Sequence, residues 1–133
     1  MDAPTILIAE DHDTLSQSFA RLLGSKYHVV GTVTDGRLLV EAADRLRPDV
    51  ILTDISMPGL NGLEAVGRLK AGGSHARIIV MTMHADADLA TQAVRSGASG
   101  FVLKIRAHDE LERAIDEALQ GRTYVSPGVT RQV

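Results

Sequence analysis

The sequence predicts an α/β fold, a three-layer α/β/α sandwich with a parallel sheet between two layers of helices. Three observations predict it. Five short apolar runs recur along the chain, and each is followed by a segment whose apolar residues fall at helical spacing. Runs such as ILIA, VILT and IIVM do not alternate apolar with polar, so both of their faces need cover, which flanking helices supply. Strand and helix alternate throughout, so right-handed crossovers wind the units into one sheet.

The first run is Thr5 to Ala9, after which Asp13 reads as the cap of a helix with Leu15, Phe19, Leu22 and Leu23 on one face. His28 to Val33 is the second, followed by Leu39, Ala43 and Leu46 on a helix that Pro48 closes. Asp49 to Thr53 is the third and ends in a carboxylate, Asp54. A Pro and Gly turn comes next, then Leu63, Val66 and Leu69. Arg77 to Thr82 is the fourth, with Leu89, Ala93 and Val94 after it and Gly97 as the helix stop. The fifth is Gly100 to Leu103, and Leu111, Ala114, Ile115, Ala118 and Leu119 make the cleanest helical stripe. From Gly121 the period is lost, so residues 1–120 read as one domain and 121–133 as a tail or the start of a linker.

A chain of 133 residues is one domain with a core of its own. It has no cysteine, which fits a reducing compartment, and its N-terminus is neither a signal peptide nor a membrane span. The expected location is the cytoplasm, without membrane contact. Net charge is -3 and aromatics make up 3 % of the residues, so neither general attraction to nucleic acid nor single-strand stacking is expected.

The polar residues fall at matching places. Glu10 and Asp11 follow the first strand, Asp54 the third, Thr82 ends the fourth and Lys104 follows the fifth. All lie at carboxyl ends, where open α/β sheets bind ligands. If the first and third strands are neighbours, three acids converge. Two carboxylates about 4 Å apart repel by roughly 4 kcal/mol at an effective dielectric of 20. Such a cluster holds protons or a cation, and hard oxygen ligands with nothing softer nearby favour Mg²⁺ shared with a phosphate. Thr82 could donate to a phosphoryl oxygen and Lys104 could pair with its charge. The parts suggest a carboxylate that accepts a phosphoryl group.

The segments AEDHD at 9–13, DISMPGLNG at 54–62, MTMH at 81–84 and GASGFVLK at 97–104 resemble the receiver domains of two-component response regulators. Among these the chain looks most like the NarL/FixJ, LuxR-type branch. The resemblance implies a (βα)5 flavodoxin-like fold with strand order 2-1-3-4-5. It implies Asp54 as phosphoacceptor, and Glu10, Asp11, Asp54 and the backbone carbonyl of Ser56 as Mg²⁺ ligands. Thr82 and Lys104 are implied on the phosphoryl group and Phe101 as the switch aromatic. A sensor histidine kinase is the implied phosphodonor, and a homodimer on phosphorylation is a possible partner state. Output would be transcriptional, with DNA reached through a helix-turn-helix domain beyond this chain. The alternative is a free-standing receiver acting through protein contacts. Many receivers follow the lysine with Pro. Here Ile105 stands there, and a cis peptide without proline costs about 2.5 to 4 kcal/mol.

Each residue has a plainer role too. Thr82 could be a β-branched strand end, Lys104 a solvated terminus, Phe101 ordinary core, and His12 and His84 solvated loop residues. Ser56 and His84, each two residues beyond a site residue, are expected to modulate access of water to the phosphoryl group. The expected domain is regulatory rather than enzymatic, with at most self-phosphorylation from small donors and slow self-dephosphorylation. Two other classes compete. An aspartyl-phosphate hydrolase of the haloacid dehalogenase type needs a second acid where Ser56 stands, and a flavin carrier needs a phosphate loop where EDHD stands.

Overall fold

The computed structural model of the chain describes residues 3–130. Its elements are β1 (Thr5–Ala9), α1 (Asp13–Gly24), β2 (His28–Val33), α2 (Gly36–Leu46), β3 (Val50–Asp54), α3 (Gly62–Ala71), β4 (Arg77–Thr82), α4 (Ala87–Arg95), β5 (Gly100–Leu103), α5 (Ala107–Leu119), β6 (Tyr124–Val125) and a single helical turn, α6 (Pro127–Thr130). The strands form one sheet in the order β2-β1-β3-β4-β5-β6, and every pairing is parallel. The order expected for the first five strands holds, and a sixth is added.

Continuous apolar runs are buried on both faces, as their lack of alternation requires. Leu7, Ile51, Ile78, Val80 and Phe101 point to a core closed by Leu39, Val66, Leu69 and Ala93 from α2, α3 and α4. Ile6, Ile8, Leu52, Ile79 and Val102 point the other way, against Phe19 and Leu23 of α1 and Leu111 and Ile115 of α5. The order places β1 beside β3 and β4 beside β5, which brings the strand tips bearing Glu10, Asp54 and Lys104 to one end.

One local expectation changes. Asp13 is not the cap: His12 holds the extended N-cap position of α1 with no side-chain cap bond, and Asp13 lies in the first turn, where a negative charge complements the helix dipole. Asn61 and Glu64 form a reciprocal capping box at α3. Gly97, at φ 112, donates to the carbonyl of Val94 and stops α4 where the sequence places the stop. The peptides of the described residues are all trans, the bond after Lys104 included.

The stretch read as a tail is the largest difference. Gly100 and Phe101 pair with Tyr124 and Val125, and Val129 is 1 % exposed within the same core cluster as Phe101. A two-residue strand is too short to show a period, and only its partner edge identifies it. Residues 131–133 of that stretch lie outside the described residues.

Candidate functional site

Three chain segments deliver the centre of the site. β1 leads directly into Glu10, whose N–H donates to the carbonyl of Val33 on β2 at 2.9 Å. β3 ends in Asp54. The chain then turns through residues 55–61 and re-enters a helix at Gly62, whose N–H donates to the Ile55 carbonyl at 2.9 Å. A Cβ at Gly62 would come within 2.4 Å of the Asp54 carbonyl oxygen, so only glycine lets the start of α3 lie so close to the acid. β5 ends in Leu103, and Lys104 opens a tight 3-10 turn (Lys104–Arg106).

Lys104 Nζ donates to Asp54 Oδ2 at 2.9 Å and stands 2.7 Å from Glu10 Oε1. The side chains of Glu10, Asp54 and Lys104 are 0, 5 and 6 % exposed. At Glu10 Oε1 the ammonium is close, but its angle falls outside hydrogen-bond geometry, and that buried oxygen has no other partner. Two carboxylates around one ammonium leave a buried charge of one negative unit if all three are ionised.

Their titration follows from this crowding. Burial pushes the Asp54 carboxyl up, the neighbouring Glu10 charge adds to it, and the bond from Lys104 offsets only part, so it stands above the ordinary aspartate value. Burial pushes Glu10 up too, but the adjacent Lys104 ammonium and the bonds from His12 outweigh it and hold Glu10 below its ordinary value. Burial alone would lower Lys104, yet the two carboxylates hold it above its ordinary value.

Asp11 and His12 form the rim. Glu10, Asp11 and His12 each offer a ligand atom within 4.8 Å of the others. The His12 N–H donates to Glu10 Oε2 at 3.1 Å, and its Nδ1 lies 3.2 Å from Glu10 Oε2 and 3.3 Å from Asp11 Oδ1. The expectation that nothing softer than oxygen stands near the acids is therefore corrected. The loop into α1 folds the imidazole back over its own neighbours, a proximity in sequence that charge pattern alone does not weigh.

The other predicted residues divide. Ser56 is exposed and its N–H donates to Asp54 Oδ1 at 3.3 Å. Thr82 is buried beside the centre, one residue past the Asp54–Met81 pairing, and its hydroxyl oxygen accepts from the His84 N–H at 3.2 Å. Among the described residues, no hydrogen bond joins Thr82 to Asp54 or Lys104. His84 is exposed and reaches the site through its backbone alone. Phe101 is fully buried opposite Val80, and Thr82 pairs with Leu103 two residues on. A cleft of about 480 Å³, lined by Asp11, Ser56, Met57, Asn61, Leu63 and Leu89 among others, opens beside the acids.

One residue of this neighbourhood was missed from sequence. Ser126 is fully buried, and its hydroxyl oxygen accepts from the Leu103 N–H at 3.0 Å, one residue before Lys104. No spacing rule ties it to the site. The only hint was a polar residue between Val125 and Pro127.

The model of the response regulator receiver domain matches residues 6–116, and the chain belongs to that family. The transcriptional regulatory protein DegU of Brevibacillus brevis is 35 % identical over 96 % of this chain and 55 % of its own length. The nitrate/nitrite response regulator NarL of Escherichia coli strain K12 is 33 % identical over 95 % of the chain and 59 % of its own length. The chain thus spans little more than half of these relatives. A two-component response regulator of the LuxR family from Aurantimonas sp. SI85-9A1 superposes with a TM-score of 0.92 at 30 % identity, over 98 % of this chain and 94 % of that one. These relatives are of the NarL/FixJ, LuxR type. The family is one of regulatory domains, which removes the hydrolase and flavin readings. Among the described residues no helix is long and apolar enough to cross a membrane.

Proposed function

We propose that the chain takes a phosphoryl group onto Asp54 from the phosphohistidine of a sensor kinase and passes on the resulting change of shape. The observation that carries this is the buried contact of Lys104 with both Glu10 and Asp54 at the open end of the sheet. With Oδ2 held by Lys104, Oδ1 is the nucleophile. It attacks phosphorus as the P–N bond breaks, and the departing imidazole nitrogen keeps the electron pair and takes a proton from solvent. Lys104 then balances charge on the phosphoryl oxygens. The Thr82 hydroxyl, which accepts from His84 and donates to no described residue, gives its hydrogen to one of them.

The residues fit a hard divalent cation. Glu10 Oε1 is a buried oxygen without a hydrogen bond, and the cluster carries excess negative charge. Glu10, Asp11, Asp54 and the backbone carbonyl of Ser56 would hold Mg²⁺, which supplies charge neutralisation at the transferring group. Small phosphodonors serve in place of the kinase, and hydrolysis of the product is slow, with Ser56 and His84 controlling access of water.

Output in this reading follows the likeness to a transcriptional regulatory protein. Phe101, buried under α4, responds to movement of Thr82. The change is transmitted through a second copy of the chain to a helix-turn-helix DNA-binding domain outside residues 1–133, with 121–133 leading toward it, in the cytoplasm. The test is incubation with acetyl phosphate and MgCl₂ followed by intact mass. Wild type gains one phosphoryl group and Asp54→Asn gains none. Equal uptake by both variants would remove Asp54 as the acceptor.

A further inference from the structure

β5 is the strand whose tip carries Lys104, and in a five-stranded sheet it would be an edge. Toward that edge it and the residue before it present, among other groups, the carbonyls of Ser99 and Phe101 and the N–H of Leu103. β6 and the residue after it satisfy the first two with their backbone: the Tyr124 N–H donates to the Ser99 carbonyl at 3.0 Å and the Ser126 N–H to the Phe101 carbonyl at 2.9 Å. The third needs an acceptor, and the Ser126 side chain turns back to provide one at 3.0 Å.

That hydroxyl is fully committed. Its hydrogen goes to Glu110 Oε1 on α5 at 2.7 Å, and the same carboxylate oxygen accepts from the Tyr124 hydroxyl at 3.0 Å. Donation to a carboxylate makes the serine oxygen a better acceptor, so the two bonds reinforce each other. The relay from Glu110 through Ser126 to Leu103 stops one residue short of Lys104. Leu103 is the last residue with sheet geometry, paired with Thr82 on its inner side, and it begins the 3-10 turn without a side-chain cap. The strand end that leads into Lys104 is thus held by β4 on one side and by Ser126 on the other.

We infer that Ser126, braced by Glu110, is a positioning residue for Lys104, so that the segment after α5 belongs to the phosphoacceptor site. This rests on the reading of Asp54 as phosphoacceptor. Ser126 touches neither Asp54 nor the incoming phosphoryl group. It fixes the strand end from which the ammonium reaches both carboxylates. A displacement of about 1 Å in a reacting constellation lowers rates by up to about 10²-fold. Lys104 stays tethered to two carboxylates, so the expected loss is smaller, about three- to tenfold.

The experiment measures phosphoryl uptake by intact mass against acetyl phosphate concentration, with MgCl₂, well below the melting temperature. The variants are wild type, Asp54→Asn, Ser126→Ala and Ser126→Thr. Ser126→Ala lowers the limiting rate about three- to tenfold and leaves the half-saturating donor concentration unchanged. Ser126→Thr, which keeps a hydroxyl, restores most of the rate. A role in stability alone would lower the melting temperature and move neither kinetic parameter.

Wild-type uptake that Asp54→Asn abolishes establishes the underlying reading separately. With that in hand, a wild-type limiting rate in Ser126→Ala overturns the inference. Should Ser126→Ala lose its cooperative melting transition, Glu110→Gln and Tyr124→Phe decide. A slower Glu110→Gln beside an unchanged Tyr124→Phe supports the relay, and any other pattern overturns it.

Discussion

The sheet has two edge strands, β2 and β6, and they hold the site by different means. Each is entered through a tyrosine tied to α5: Tyr27 donates to Asp116 Oδ1 at 2.9 Å, and Tyr124 donates to Glu110 Oε1 at 3.0 Å. Each also fixes backbone at or next to one charged partner, Glu10 itself on one side and Leu103, the residue before Lys104, on the other. β2 does so with a main-chain carbonyl, that of Val33, which accepts from the Glu10 N–H, whereas β6 leads into Ser126, whose hydroxyl accepts from the Leu103 N–H. A carbonyl survives every substitution and a hydroxyl does not. The arm carrying Glu10 is therefore robust to sequence change, and the arm carrying Lys104 is exposed to it.

The hardest way to break the comparison is to remove the cation on which both arms converge. Lys104→Ala leaves Glu10 and Asp54 as buried carboxylates without their ion pair, and about 3 kcal/mol of stability is lost at neutral pH. Freed of the ammonium, both carboxyls have raised folded pKa values. The penalty is then present above their unfolded values and shrinks as pH falls and they take up protons. Urea unfolding at pH 7 and pH 4 tests this. An undiminished deficit at pH 4 would show that lost packing, not charge, was responsible.

The next comparison sets one edge directly against the other. Val129→Asp places a carboxylate where the side chain is 1 % exposed against the core that holds Phe101, and it costs about 2 to 3 kcal/mol by peeling away α6. Thr32→Asp, on the exposed face of β2, changes stability by about 0.5 kcal/mol or less. Equal denaturation midpoints for the two variants would mean that the segment after α5 contributes nothing to the folded body.

This contrast also marks what the amino-acid pattern could and could not convey. Five strands and five helices were legible because hydrophobic runs without alternation, such as VILT, have few environments available. Glu10, Asp54 and Lys104 were legible as a group because strand tips of a parallel sheet share one end. The sixth strand was not, since Tyr124 and Val125 make no period of their own and acquire meaning only from the unpaired edge of β5. His12 was legible as a loop residue near the site but not as a partner of the acids: its place over Glu10 and Asp11 comes from the turn into α1 rather than from any repeat. Asp13 was misassigned by one position, a common error at helix ends, where a cap and a first-turn acid share the same preference.

The gentlest probe acts on the two tyrosine anchors. Burial and then the bond to Asp116 push Tyr27 well above the ordinary phenol value of 10.0, and burial and then the bond to Glu110 push Tyr124 up to about 12. In both, the folded pKa exceeds the unfolded one. Ionisation therefore favours unfolding, and their contribution is intact below pH 10 and declines as pH rises toward the folded values. Lys104, also raised, adds a loss in the same direction above 10.5. Tyrosinate absorbance of the folded chain should stay flat through pH 10 and rise only well above it, while the urea-unfolded chain titrates near 10. Tyr27→Phe leaves a signal centred near 12, and Tyr124→Phe leaves one that appears later still. Each substitution costs about 1 kcal/mol, the typical net worth of one hydrogen bond. If half of the folded signal appears near pH 10, one hydroxyl is free. If the free one is Tyr124, Glu110 is engaged by Ser126 alone, and the two edges differ more than their shared tyrosine suggests.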